Sequence, residues 1–301
     1  MEEISVQEIP SKLTAWWLAA RPKTLPAAVT PILIGSALAL HANAFRAGPA
    51  FAALLCALLI QIATNYSNDL LDYKAGTDTE KRTGPARAVA SKWLSEREMF
   101  WGTVVVIGLT VPLGLYLIAN AGIVVLAIGL LSIAAGLAYT GGPYPLAYNG
   151  LGDLFVFIFF GGVATVGTYF VQAIQVTPEA FLAAVPAGGL ITNILVINNY
   201  RDIDTDSETN KQTMAVKLGK SGTRIEYLFL IFVSYLIPLL FLLAFGYSGW
   251  VLLPFASLPL AIKPVRQLYS GMQGIELNQV LAETARLSLI FALLFSIGIV
   301  I

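Results

Sequence analysis

Long apolar runs alternate with short polar breaks along almost the whole chain. Nine such runs occupy residues 25–45, 49–68, 100–118, 121–139, 151–172, 180–199, 226–246, 249–267 and 280–301. Each is long enough, as a helix rising 1.5 Å per residue, to approach or cross a bilayer core of about 30 Å. The pattern predicts an all-α integral membrane protein of nine transmembrane helices, with residues 1–301 forming a single domain. Lys12 and the apolar segment 13–20 precede the first run. They lack the compact hydrophobic region and small-residue cleavage site of a signal sequence, so this start is read as part of the protein.

Composition supports that class and adds a direction. The chain is 57% hydrophobic and 12% charged, with a mean hydropathy of +0.75, whereas soluble domains carry about 25% charged residues. With the N-terminus placed in the cytoplasm and the C-terminus outside, every Lys and Arg except Arg46 falls on the cytoplasmic side. The acidic residues follow, with Glu179 the exception. This layout predicts one-sided chemistry on a charged cytoplasmic substrate. Net charge is zero with no basic tail, which argues against a nucleic-acid partner. His41 and the single cysteine, Cys56, form no ligand set for zinc or haem. Trp16, Trp17, Trp93, Trp101 and Trp250 are expected at the membrane interface.

The polar residues at the run ends carry the chemistry. All seven aspartates fall in three short stretches. One follows the second run: Asn65, Asn68, Asp69, Asp72 and Asp78. Another follows the sixth: Asn198, Asn199, Arg201, Asp202, Asp204 and Asp206. The two look like copies, loops 65–92 and 198–217, because Thr77-Asp78-Thr79-Glu80 recurs as Thr205-Asp206-Ser207-Glu208 and each leads to an Ala-Val pair and a lysine. Residues three and four apart share a helix face. That spacing groups Asn65, Asp69 and Asp72 on one wall and Asn198, Asp202 and Asp206 on another, with Asp204 pointing away. Oxygen ligands of this kind suit Mg²⁺, which takes one or two carboxylates together with phosphate oxygens. Arg87, Lys92, Arg201 and Lys211 would neutralise the remaining phosphate charge. Solvated loop carboxylates are the plainer reading for any one aspartate, but two matched Asn/Asp faces are poorly explained by solvation. A carboxylate-lined cation or proton transporter would place its acids near the midplane in broken helices, not at helix ends on one side.

Asn68-Asp69-x-x-Asp72 followed by Asp78, together with Asp202-x-x-x-Asp206, resembles the paired aspartate motifs of the UbiA superfamily of intramembrane aromatic prenyltransferases. That family usually places a third carboxylate at the position of Gly76; here Asp78 stands two residues later. This departure is similar to the 1,4-dihydroxy-2-naphthoate polyprenyltransferase branch of menaquinone synthesis. So are Arg21-Pro22-Lys23-Thr24-Leu25-Pro26, Gly84-Pro85-x-Arg87-Ala88, and Tyr139-Thr140-Gly141-Gly142-Pro143-Tyr144-Pro145 leading to Gly150-Leu151-Gly152-Asp153.

The resemblance implies a Mg²⁺-dependent enzyme of a bacterial cytoplasmic membrane that joins a polyprenyl diphosphate to 1,4-dihydroxy-2-naphthoate, giving demethylmenaquinol. It implies metal ligation by Asp69, Asp72, Asp78, Asp202 and Asp206. Asn65, Asn68, Arg87, Lys92, Asn198, Asn199, Arg201 and Lys211 would bind substrate, with Tyr139 and Asp153 at the naphthoate end. Acceptors of the sister branches, 4-hydroxybenzoate and homogentisate, are the rival reading.

Overall fold

The computed structural model describes residues 10–78, 84–209 and 211–301. Among the described residues there is no strand, and each of the nine apolar runs lies in helix. We label the helices α1 (Lys12–Ala19), α2 (Pro26–His41), α3 (Ala47–Ala75), α4 (Glu96–Ala121), α5 (Val124–Ala138), α6 (Gly152–Ala173), α7 (Pro178–Arg201), α8 (Ile203–Glu208), α9 (Met214–Phe245), α10 (Leu258–Tyr269) and α11 (Leu277–Val300). Thr79 and Glu80, part of the first motif copy, lie outside the described residues.

The expected count of nine full spans is not met by length. Among the described residues, six helices are long and apolar enough to cross a bilayer, or seven if Lys12–Thr24 and Pro26–His41, bent by 49° at their junction, form one span. α5 has only 15 residues, about 22 Å at 1.5 Å per residue. The eighth run divides into a 3₁₀ segment, Gly249–Ser257, and the 12-residue α10. α6 contains a π-helical stretch at Phe157–Val166.

Local chemistry sets the helix ends that matter for the site. Ser95 caps α4 through a capping box with Glu98. Thr177 caps α7, with Pro178 in its first turn. α3 stops at Gly76, whose φ of 70° is the left-handed conformation that glycine adopts without a Cβ penalty. The Gly76 and Thr77 amides return to the carbonyls of Tyr73 and Asp72. α7 is the most deeply enclosed of the spans. It packs against α6 and α9, and the main apolar core gathers around it from α2, α6, α9 and α11.

Two glycines allow the closest approach. A Cβ on Gly161 of α6 would meet the Ala184 carbonyl oxygen at 2.7 Å, and one on Gly188 of α7 would meet the Phe157 carbonyl oxygen at 2.8 Å. Small residues at such crossings are how helices pack where lipid supplies no hydrophobic drive.

Of the tryptophans, Trp17, Trp101 and Trp250 are exposed, as an interfacial belt requires. Trp16 and Trp93 are not: both pack against a buried cluster containing Tyr66, Leu70 and Met99. Trp16 lies 5.1 Å from the Tyr66 ring, and its carbonyl accepts from the Tyr66 hydroxyl.

Candidate active site

A cavity of about 490 Å³ runs between α2, α3, α4, α5, α6 and α7. Its wall is mostly apolar, with Ile60, Leu117, Val125, Phe159, Phe160 and Ile194 among the lining residues. The polar groups gather where α3 and α7 end. Asn65, Asn68, Asp72, Arg87, Tyr139, Asn198, Asn199 and Lys211 all line this part, so the structure brings together both motif copies.

Helical register explains the first wall. Asn68 and Asp72 are one turn apart on α3, and both reach the cavity. Thr140 holds Asn68 by donating to its Oδ1 at 2.7 Å, and Asn65 donates to the Ala20 carbonyl at 2.9 Å. Asp72 is almost fully buried. Its Oδ2 accepts from Arg87 Nη2 at 2.5 Å and its Oδ1 from the Tyr148 hydroxyl at 2.6 Å. Arg87 also reaches Asp78, Nε to Oδ1 at 3.4 Å, so one guanidinium stands between two buried carboxylates. The left-handed stop at Gly76 turns the chain so that Asp78 comes within reach of Arg87.

Asp69, expected as a ligand, lies elsewhere. Its two oxygens accept from the backbone amides of Ala88 and Val89 at 2.9 and 3.0 Å; like Asp78, Asp202 and Asp206, it stands behind the residues that line the cavity, where Asp72 is the one lining aspartate among the described residues. It fastens the loop that presents Arg87. Lys92, expected to bind phosphate, is solvent-exposed beyond that loop.

The second wall is interrupted by a helix break. α7 ends at Arg201 and α8 begins at Ile203, so Asp202 and Asp206 do not share one continuous helix, although the Asp206 amide still donates to the Asp202 carbonyl at 2.8 Å. Arg201 does not face the cavity. Its Nε and Nη2 grip both oxygens of Asp202 at 2.8 and 2.6 Å, and the rest of the guanidinium donates to Asn278 and Asn198. This pairing holds Arg201 at the end of α7, away from the cavity lining. Asp204 is exposed and meets Lys220 at 3.2 Å, in line with the expected register.

Asp206 is the orphan of the site. Its Oδ1 lies 3.4 Å from Lys211 Nζ, while its Oδ2 is buried with no hydrogen-bond partner among the described residues. Burial pushes its carboxyl up to about 6; Lys211 opposes the rise, and Asp202 and Asp72 add to it. A cation at this point would relieve both the repulsion and the unsatisfied oxygen. Among the described residues no three acidic, histidine or cysteine side chains converge as a ready-made metal cage. Mg²⁺, which takes one or two carboxylates and fills its shell with waters and substrate oxygens, does not require such a cage.

Tyr139 and Asp153 do come together. The Tyr139 hydroxyl lies over Gly152, where a Cβ would approach it to 3.1 Å, and Asp153 is the next residue in the first turn of α6. Tyr139 lines the cavity; Asp153 is buried behind it, with Oδ2 unpartnered.

Two cavity residues escaped the sequence reading as site residues. Arg21 precedes Pro22 and adopts φ 52°, and its carbonyl accepts from both the amide and hydroxyl of Thr24 at 2.9 Å. The Arg-Pro pair ahead of the first run was the available signal. Tyr148 left none.

The chain is similar in sequence and in fold to known proteins. The profile of the UbiA prenyltransferase family matches residues 28–275. A 1,4-dihydroxy-2-naphthoate octaprenyltransferase of Haemophilus influenzae is 36% identical over 99% of both chains. Among solved structures, a UbiA homologue from Aeropyrum pernix superposes with a TM-score of 0.70 at 17% identity, covering 92% of this chain and 96% of that one. A homologue from Archaeoglobus fulgidus bound to GPP and Mg²⁺ superposes with a TM-score of 0.66 at 15% identity, covering 95% of this chain and 99% of that one.

Proposed function

The chain belongs to the UbiA prenyltransferase family, and we propose that it transfers a polyprenyl group from an allylic diphosphate to 1,4-dihydroxy-2-naphthoate, releasing diphosphate and carbon dioxide. The observation that carries this reading is the cavity itself. A polar mouth of Asn68, Asp72, Arg87, Asn199 and Lys211 opens onto an apolar interior between membrane-spanning helices. A molecule with a highly charged head and a long hydrocarbon tail fits both parts. Near-full-length identity to a naphthoate octaprenyltransferase supports the acceptor and the membrane setting.

Mg²⁺ would be held by Asn68, Asp72, Asp78 and Asp206 together with diphosphate oxygens. When bound, it draws charge from the diphosphate and favours breaking of the allylic C–O bond, the electron pair leaving with the phosphate. Lys211 and Arg87 supply positive charge to the same leaving group. The apolar wall keeps water from the allylic cation. Tyr139, backed by Asp153, orients the naphthoate. The ring carbon bearing the carboxylate forms the new C–C bond, and loss of carbon dioxide restores aromaticity, giving demethylmenaquinol. The polar mouth faces the cytoplasm of a bacterial cell by the distribution of Lys and Arg, with the C-terminus outside.

The deciding experiment incubates the purified protein with Mg²⁺, a series of allylic diphosphates and three acceptors: the naphthoate, 4-hydroxybenzoate and homogentisate. Prenylation of the naphthoate is expected. Transfer to another acceptor alone would keep the diphosphate site and refute the branch.

A further inference from the structure

Tyr148 belongs to neither motif copy, yet it touches both. It sits in a short 3₁₀ turn, Ala147–Asn149, between α5 and α6. Its hydroxyl donates to Asp72 Oδ1 at 2.6 Å and lies 3.0 Å from Thr77 Oγ1, both from the end of α3. On the other side, Lys211 Nζ stands 5.5 Å from the centre of its ring. The Gln212 amide donates to its carbonyl at 3.0 Å, and Lys217 Nζ donates to the neighbouring Asn149 carbonyl at 2.5 Å. The turn is thus tied to the second motif loop by the Gln212 amide and the Lys217 ammonium, and to the end of α3 by the Tyr148 phenol.

We propose that Tyr148 is a positioning residue that fixes the Asp72 carboxylate for metal and sets the separation between the two motif loops. The inference rests on the magnesium–diphosphate reading given above and deepens it. A ligating carboxylate is usually oriented by a hydrogen-bond donor behind it, and loss of such a donor typically costs 10–100-fold in metal affinity or activity. Arg87 already holds the other oxygen of Asp72, but as a cation it competes with a metal for the same charge. A neutral phenol does not. A phenol is ordinarily protonated at neutral pH, so the group is a donor to Asp72. The same ring carries Lys211, whose ammonium neighbours Asp206, so one side chain touches Asp72 and indirectly places the opposing acid.

Tyr148→Phe isolates the idea, because it keeps the ring beneath Lys211 and the main-chain bond from Gln212. Full-length protein in lipid nanodiscs would be titrated with Mg²⁺ in the presence of inorganic diphosphate, and the thermal unfolding midpoint followed. The variant is expected to need about tenfold more Mg²⁺ for half of the stabilisation. In turnover, the Mg²⁺ requirement should rise while the KM for the aromatic acceptor stays unchanged. Thr77→Val, which strips the second contact of the same hydroxyl, should shift the requirement in the same direction by a smaller factor. An unchanged Mg²⁺ requirement in both variants would overturn the inference. Absence of any Mg²⁺ and diphosphate response in the wild type would instead refute the proposed diphosphate site.

Discussion

Asp69 and Asp72 stand three positions apart on α3 and meet different partners. Asp69 accepts two backbone amides, those of Ala88 and Val89, whereas Asp72 faces the cavity between Arg87 and Tyr148. One carboxylate anchors the loop and the other lines the cavity. Asp72→Asn should therefore abolish prenyl transfer and the stabilising effect of Mg²⁺ while the protein still folds. Asp69→Ala should lower the thermal midpoint first, because hydrogen bonds to a charged acceptor contribute about 1.5–3 kcal/mol each. Its residual activity should follow the folded fraction, measured by parallel unfolding and turnover assays. Loss of Mg²⁺ response without loss of stability in Asp69→Ala would return that residue to the metal site.

Arg87 and Asp78 form the next test. The guanidinium spans Asp72 and Asp78, both buried, and a lysine cannot fork between two carboxylates in the same way. Arg87→Gln should cut turnover by more than tenfold and destabilise the Mg²⁺-free protein, since removing one partner of a buried ion pair costs about 3–5 kcal/mol. Asp78→Asn should reduce turnover at least tenfold, equivalent to about 1.4 kcal/mol, and raise the Mg²⁺ requirement. Full activity of Asp78→Asn at ordinary Mg²⁺ would remove position 78 from the site.

Packing behind the cavity gives a test independent of charge. At Gly188 a Cβ would strike the Phe157 carbonyl oxygen at 2.8 Å and approach Gly161 Cα at 3.2 Å, contacts to backbone that a rotamer change cannot relieve. Gly188→Val should force α6 away from α7, at a cost of about 1–3 kcal/mol as for other overpacked cores. The π-helical stretch of α6 carries the lining residues Phe159, Phe160 and Val163, so turnover should fall along with the unfolding midpoint. A variant as stable and active as the parent would show that this crossing can open freely.

The same particulars show what the amino-acid order reveals. Apolar run length marks helices directly, and all nine runs are helical. It does not fix the hydrogen-bond ladder, so the 3₁₀ segment at Gly249–Ser257 and the π stretch in α6 were not foreseen. Spacing of one turn pairs Asn68 with Asp72, yet a helix offers Asp69 a side as well, and only the returning loop at Ala88 and Val89 decides which way it is used. Arg201 carried a cation to the right neighbourhood, but its nearest carboxylate is the next residue, a contact no periodicity displays. Tyr148 enters from a turn some 76 positions beyond Asp72, and such tertiary meetings leave no local pattern.

The identity of the acceptor can be read from the fate of one carbon. The reading rests on 36% identity over 99% of the chain to a naphthoate octaprenyltransferase and on the cavity that Tyr139 lines. If the carboxyl-bearing ring carbon attacks the allylic cation, that carbon has no proton to expel, and aromaticity returns only when the carboxylate departs as carbon dioxide with its bonding pair left in the ring. Naphthoate labelled at the carboxyl carbon should then release one labelled carbon dioxide for each prenyl group attached, and one diphosphate with it. Both would be counted in the same reaction, against a control lacking Mg²⁺. Prenylated product that keeps its label would mean attack at a different carbon, and transfer to 4-hydroxybenzoate with retained carboxylate and none to the naphthoate would place the chain in a sister branch.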